Sequence, residues 1–128
     1  MEVGKKLVRE EIVTRDKSAM SLGSGMVEVF ATPMMILLME STSAACVAPE
    51  LEEGCATVGT QINVSHSAAT PIGMKVRCES ELTGVDGRKL TFHVAAYDEC
   101  GLIGEGTHER YIIQVEKFTA RANDKLKK

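Results

Sequence analysis

Between Lys17 and Lys75 the chain contains no lysine or arginine, and inside that interval runs PMMILLMESTSAACV, residues 33 to 47, a segment apolar on nearly every side of a helix. A helix at a protein surface shows one apolar stripe, whereas one that is apolar all round has to be enclosed. The rest of the chain is therefore expected to bury this helix over most of its circumference. Thr32-Pro33 marks its start, because Thr can cap free N–H groups and Pro is tolerated where its missing N–H would be unpaired. Pro49 stops it near Val47.

The remaining sequence supplies a sheet. Residues 3 to 15 mix Val3, Leu7, Val8, Ile12 and Val13 with charge, as an edge strand does, and DKSAMSLGSGMVEV then reads as a loop. A strand is expected from Ala56 to Val64, with a turn near Thr70-Pro71. Lys75 to Val85 alternates apolar and polar residues, Asp86-Gly87 signals a hairpin, and Lys89 to Asp98 carries Leu90, Phe92, Val94 and Ala96 on one face. After a turn at Glu99-Cys100-Gly101, a long last strand runs from Leu102 to Phe118. The order predicts an α+β fold, a curved antiparallel sheet wrapped around one long central helix.

One domain over residues 1 to 120 accommodates all of this in a chain of 128 residues, leaving a frayed basic tail, RANDKLKK, at 121 to 128. The net charge of −3 offers no basic field for phosphate backbones, which argues against a nucleic-acid partner. The apolar run from Val29 to Met39 is too short for a bilayer, and charges interrupt the N-terminus where an export signal would be apolar. A soluble cytoplasmic protein, away from membranes, is the expectation. Cys46, Cys55, Cys78 and Cys100 lie 9, 23 and 22 residues apart without a CxxC pair, so reduced thiols packed as small hydrophobes are expected rather than a metal site.

Glu40 is the anomaly in the apolar helix. Its helical neighbours are Ile36, Leu37, Ser43 and Ala44, and no cation is local, so its ionisation must be compensated from elsewhere. It either emerges at a solvated edge, pairs with a distant cation such as Arg110, or serves as a tuned acid, base or nucleophile. His66, after a strand in NVSHSAATPIG, reads alone as a hydrogen-bonded turn histidine, and Thr32 alone as a helix cap. His108 and Arg110 alternate in GTHERY and share a strand face, which alone would be surface polarity; His93 falls on the face opposite its strand's apolar row. GSG at 23 to 25 and GLIGEG at 101 to 106 lack the strand-to-helix setting and further residues of a nucleotide loop, and no GxSxG elbow occurs.

Four segments taken together, VFATPMMILLME, VGTQINVSHSAATPIG, VDGRKLTFHVAAYDE and IGEGTHERYIIQVEKF, resemble the hotdog-fold thioesterases related to fluoroacetyl-CoA thioesterase, in order and over residues 5 to 120. The resemblance implies a catalytic set of a Thr at the helix start, a Glu eight residues later and a His after the next strand, matched here by Thr32, Glu40 and His66. It also implies that Gly59 offers its backbone N–H to the thioester carbonyl and that Arg110 shapes the site. Met26 and Met35 complete the expected substrate contacts, the Met-rich helix suiting an apolar acyl pocket. A homodimer or higher oligomer, with each site drawing on both chains, is implied as well, with no cofactor apart from the coenzyme A of the substrate. Fluoroacetyl-specific members close the pocket with a Phe-bearing lid; LGSGMVEV is shorter and has Met26 and two glycines, so that selectivity does not carry over. The expected activity is hydrolysis of a short- or medium-chain acyl-CoA. The rival readings are a non-catalytic acyl-CoA or acyl-carrier binding module and a hotdog dehydratase or hydratase.

Overall fold

The computed structural model describes residues 1–127. In chain order the elements are β1 (Lys6–Ile12), α1 (Ala19–Leu22), α2 (Thr32–Val47), β2 (Cys55–His66), β3 (Lys75–Asp86), β4 (Lys89–Asp98), β5 (Gly101–Gln114) and α3 (Val115–Asn123). All pairings are antiparallel, in the order β1-β3-β4-β5-β2, which leaves β1 and β2 as the two edges.

The long helix occupies the residues expected of it and lies against β1, β3 and β4. Met35, Leu38, Met39, Thr42, Ser43, Cys46 and Val47 are buried, a spacing of three and four that forms one face. The core they join contains Val76, Cys78, Leu82, Leu90, Phe92, Val94 and Ile103 from the sheet. Two hydroxyls within that face are satisfied by the helix itself, Thr42 donating to the Leu38 carbonyl at 2.6 Å and Ser43 to that of Met39 at 2.9 Å. The expected enclosure on most sides is not met. Leu37 is 52% exposed, and Ile36, Glu40, Ser41 and Ala44 are half-buried. A single five-stranded sheet covers one side of a helix, so the opposite apolar side stays open.

Three local expectations are corrected. The segment before α2 is not all loop: Ser18 caps α1 by accepting from the Ser21 N–H, and Gly23, at φ 76°, ends it in a conformation that glycine adopts without Cβ strain. The last strand ends at Gln114 rather than Phe118. Val115, Phe118 and Ala122 then follow a helical spacing, so the chain continues as α3 and a 3-10 turn, Asp124–Lys127, through the segment expected to fray.

Gly104 and Gly106 of GLIGEG lie in β5 and permit close approach of β2. A Cβ at Gly106 would stand inside contact distance of the Asn63 carbonyl oxygen and 2.7 Å from Val64 Cα, both backbone atoms that cannot swing aside. Gly106→Ala is accordingly expected to destabilise the fold by about 1–3 kcal/mol. The check is a lower urea midpoint at unchanged slope.

Candidate active site

Thr32 is the first residue of α2 and not its cap, the capping position being held by Ala31 without a side-chain bond. Its hydroxyl is directed instead to His66, with Oγ1 and Nδ1 2.7 Å apart. Burial pushes the His66 imidazole below its ordinary pKa, so it is neutral at pH 7. Its Nε2 is buried and unpartnered among the described residues. A neutral imidazole held at one nitrogen and open at the other is equipped to move a proton. The pair borders a cleft of about 260 Å³ whose other walls include Ala19, Val29, Phe30 and Ala68.

Glu40 stands two turns further along α2, where the helix crosses β2. Its Oε2 lies 2.8 Å from the point where a Cβ on Gly59 would sit. His108 Cε1 at 3.2 Å and an Arg110 terminal nitrogen at 3.3 Å converge on the same point. Only glycine leaves that space open. At this position β2 is irregular: Gly59 pairs with Arg110 and Gln61 with Glu109, so Thr60 is the extra residue of a bulge that redirects the backbone.

His108 has no exposed surface and Arg110 is only 8% exposed, which corrects the reading of this pair as surface polarity. The strand face they share is the inner one. Arg110 Nε donates to Thr57 Oγ1 at 2.8 Å and Nη2 to the Thr57 carbonyl at 2.9 Å. No Lys or Arg nitrogen among the described residues comes within 4.0 Å of the Glu40 carboxylate, so Arg110 faces Glu40 without forming an ion pair. The half-buried acid thus acts on Arg110 through its charge across a gap wider than an ion pair.

Of the other expected contacts, Met35 is fully buried in the core with Gly104 against its sulfur, and Met26 is 88% exposed on the segment before α2. His93 is exposed, 3.5 Å from Glu105. All four cysteines are free, with Cys46 and Cys78 buried. Sequence reasoning underweighted His108, which alternation had already aligned with Arg110; that both belong to the inner face follows only from the sheet's packing.

The chain thus groups Thr32 with His66, and Glu40 with Gly59, His108 and Arg110. Eight residues of helix separate Thr32 from Glu40 by about 12 Å, too far for the two to touch one reacting group.

Known proteins share this arrangement of chain. The sequence model of the fluoroacetyl-CoA-specific thioesterase family matches residues 13–116. The fluoroacetyl-CoA thioesterase of Streptantibioticus cattleyicolor is 40% identical, over 98% of this chain and 94% of that protein. A solved structure of a single-substitution mutant of a fluoroacetyl-CoA-specific thioesterase, in complex with fluoroacetate and CoA, is 41% identical, covers 92% of this chain and 99% of that one, and superposes with a TM-score of 0.88. A thioesterase superfamily member from Thermus thermophilus is 29% identical over 98% and 96% of the two chains, with a TM-score of 0.89. The curved sheet on a long central helix is thus the hotdog fold, and by the extent of both matches the chain belongs to the fluoroacetyl-CoA-specific thioesterase family.

Proposed function

We propose that this thioester hydrolase cleaves short- or medium-chain acyl-CoA at a site completed by a second copy of the chain, Thr32 and His66 coming from one subunit and Glu40, Gly59 and Arg110 from the other. The observation that carries the shared site is the separation of the two groups along α2 and β2. β2 is an open edge, and Gly59 and His66 lie symmetrically about a point between Ile62 and Asn63, which can serve as the centre of a pairing between two copies. Antiparallel pairing of two such edges about that centre would set Gly59 of one subunit beside His66 of the partner subunit. It would also satisfy the edge's backbone groups, and the open Ile36–Leu37 side of α2 supplies apolar surface that a second copy can cover.

In this reading the acyl group enters the cleft between Phe30, Val29 and Ala68, whose volume suits a short chain. Glu40 acts on the thioester carbonyl, as nucleophile or as base for water. Thr32 orients the reacting groups, and neutral His66 accepts a proton released by the hydrolytic water and returns it, as imidazolium, to the thiolate of coenzyme A. The Gly59 N–H supports the developing oxyanion, a contribution typically worth about 3–4 kcal/mol per donor. Borohydride added during turnover separates the two courses, since only a nucleophilic Glu40 forms a mixed anhydride that is reduced to an alcohol on the Glu40 side chain. Met26, exposed on the segment before α2, would meet the acyl-CoA from outside the cleft that Val29 and Phe30 line. No described helix is long and apolar enough to cross a membrane, and with four free cysteines the cytoplasm is the compartment we assign.

Thiol release from a panel of acyl-CoAs of increasing length tests the activity, and mixed dimers test the shared site. Coexpressed Glu40→Ala and His66→Ala chains, each inactive alone, pair randomly so that half of the dimers are mixed and hold one intact site of two. About a quarter of the wild-type rate is therefore expected. No recovery from a mixture shown to contain the mixed dimer would mean that each chain supplies its whole site.

A further inference from the structure

We infer that His108 is a positioning residue for the thioesterase site: neutral, with its hydrogen on Nδ1, it ties the bulge of β2 to β5 and holds Arg110 so that the second Nη1 hydrogen of the guanidinium faces the space above Gly59. The inference rests on the reading of that space as the reaction centre.

Hydrogen-bond chemistry assigns the tautomer. Nδ1 of His108 lies 2.8 Å from the Gln61 carbonyl oxygen, which only accepts, so Nδ1 carries the hydrogen. Nε2 lies 3.1 Å from the Nη1 of Arg110, a group that only donates, so Nε2 is the acceptor. Both ring nitrogens are committed, and no third arrangement satisfies both partners. Gln61 is the residue after the extra position of the bulge, so the imidazole fixes the backbone that presents Gly59. Arg110 has its Nε and Nη2 fixed on Thr57 and one Nη1 hydrogen on His108. Of the two N–H groups that remain, one on Nη2 and one on Nη1, the Nη1 hydrogen belongs to the nitrogen nearest the space above Gly59 and is available to the Glu40 carboxylate or to charge developing on the substrate.

Protonation of His108 would put a hydrogen on Nε2 directed at Nη1 and set two cations side by side. The ring also meets the Gln61 carbonyl from β2 and the Phe92 ring from β4, centred 6.2 Å away, and feels the charges of Glu40 from α2 and of Glu109 from the outer face of β5. Burial outweighs the two carboxylates and, with Arg110, lowers the imidazole below its usual range, which preserves the neutral form at pH 7.

The test uses the full-length wild-type protein labelled with ¹⁵N, alongside His108→Gln and His108→Leu. Imidazole nitrogen shifts are expected to show the Nδ1–H tautomer at pH 7.5, and the Arg110 side-chain N–H signals to broaden on acidification in step with His108. Gln retains an acceptor near the Nε2 position and is expected to keep kcat within about fivefold of wild type. Leu fills the space without an acceptor and is expected to lower kcat by about ten- to a hundredfold with KM changed little, the signature of misplaced rather than missing contacts. An Nε2–H tautomer, or a charged ring at pH 7.5, would overturn the inference even if neither variant folds. So would wild-type kcat in a folded Leu variant, and in that case loss of activity in Glu40→Gln would still leave the thioesterase site intact.

Discussion

Glu40→Gln is expected to lower kcat for acyl-CoA hydrolysis by about 10²–10⁴-fold, the range that a positioned base or nucleophile supplies, while KM stays within a few-fold of wild type. The substitution preserves size and removes only charge. Among the described residues the carboxylate makes no ion pair within 4.0 Å, so little folded-state bonding is lost with it. The melting temperature should therefore change little. A structural carboxylate would behave in the opposite way, with a lowered melting temperature and retained turnover. Kinetics at saturating substrate and a thermal scan of the same preparation together decide the matter.

His66→Ala should come next in magnitude, with a loss of about 10²–10³-fold in kcat. The reason is geometric. Thr32 Oγ1 engages one ring nitrogen at 2.7 Å, leaving the buried, unpartnered Nε2 as the position for proton transfer. Thr32→Ser, which keeps the hydroxyl, should cost far less than Thr32→Ala. Because burial lowers the pKa of His66, the wild-type rate should be level above pH 6.5 and fall only on the acid side, where the ring becomes charged. Added imidazole should restore part of the activity of His66→Ala by occupying the vacated space. A variant that turns over within threefold of wild type would remove His66 from the mechanism.

Local chemistry made several elements legible before any packing was known. Thr32-Pro33 and Pro49 bracket the helix that is observed, Asp86-Gly87 gives the β3–β4 turn, and alternation from Lys75 to Asp98 gives the sheet's inner row. Each depends on residues within a few positions of one another. The failures have the same origin: Ser18 and Gly23 cap a four-residue helix inside a Ser/Gly-rich stretch, and Val115, Phe118 and Ala122 fit a helix where alternation had suggested continued strand.

The unusual placement of Glu40 and the alignment of His108 with Arg110 were properties of the sequence itself, since helical and strand periodicity fix which residues share a face. Only the tertiary structure decided what those faces meet. It turned the hydroxyl of Thr32 from an expected cap to a partner for His66, and sent the His108–Arg110 face into the core against Gly59. It also covered one side of α2 and left the other open. The physical reason is that a contact between residues 34 or 49 positions apart, such as Thr32 with His66 or Gly59 with His108, depends on sheet order and register, to which no local propensity is sensitive.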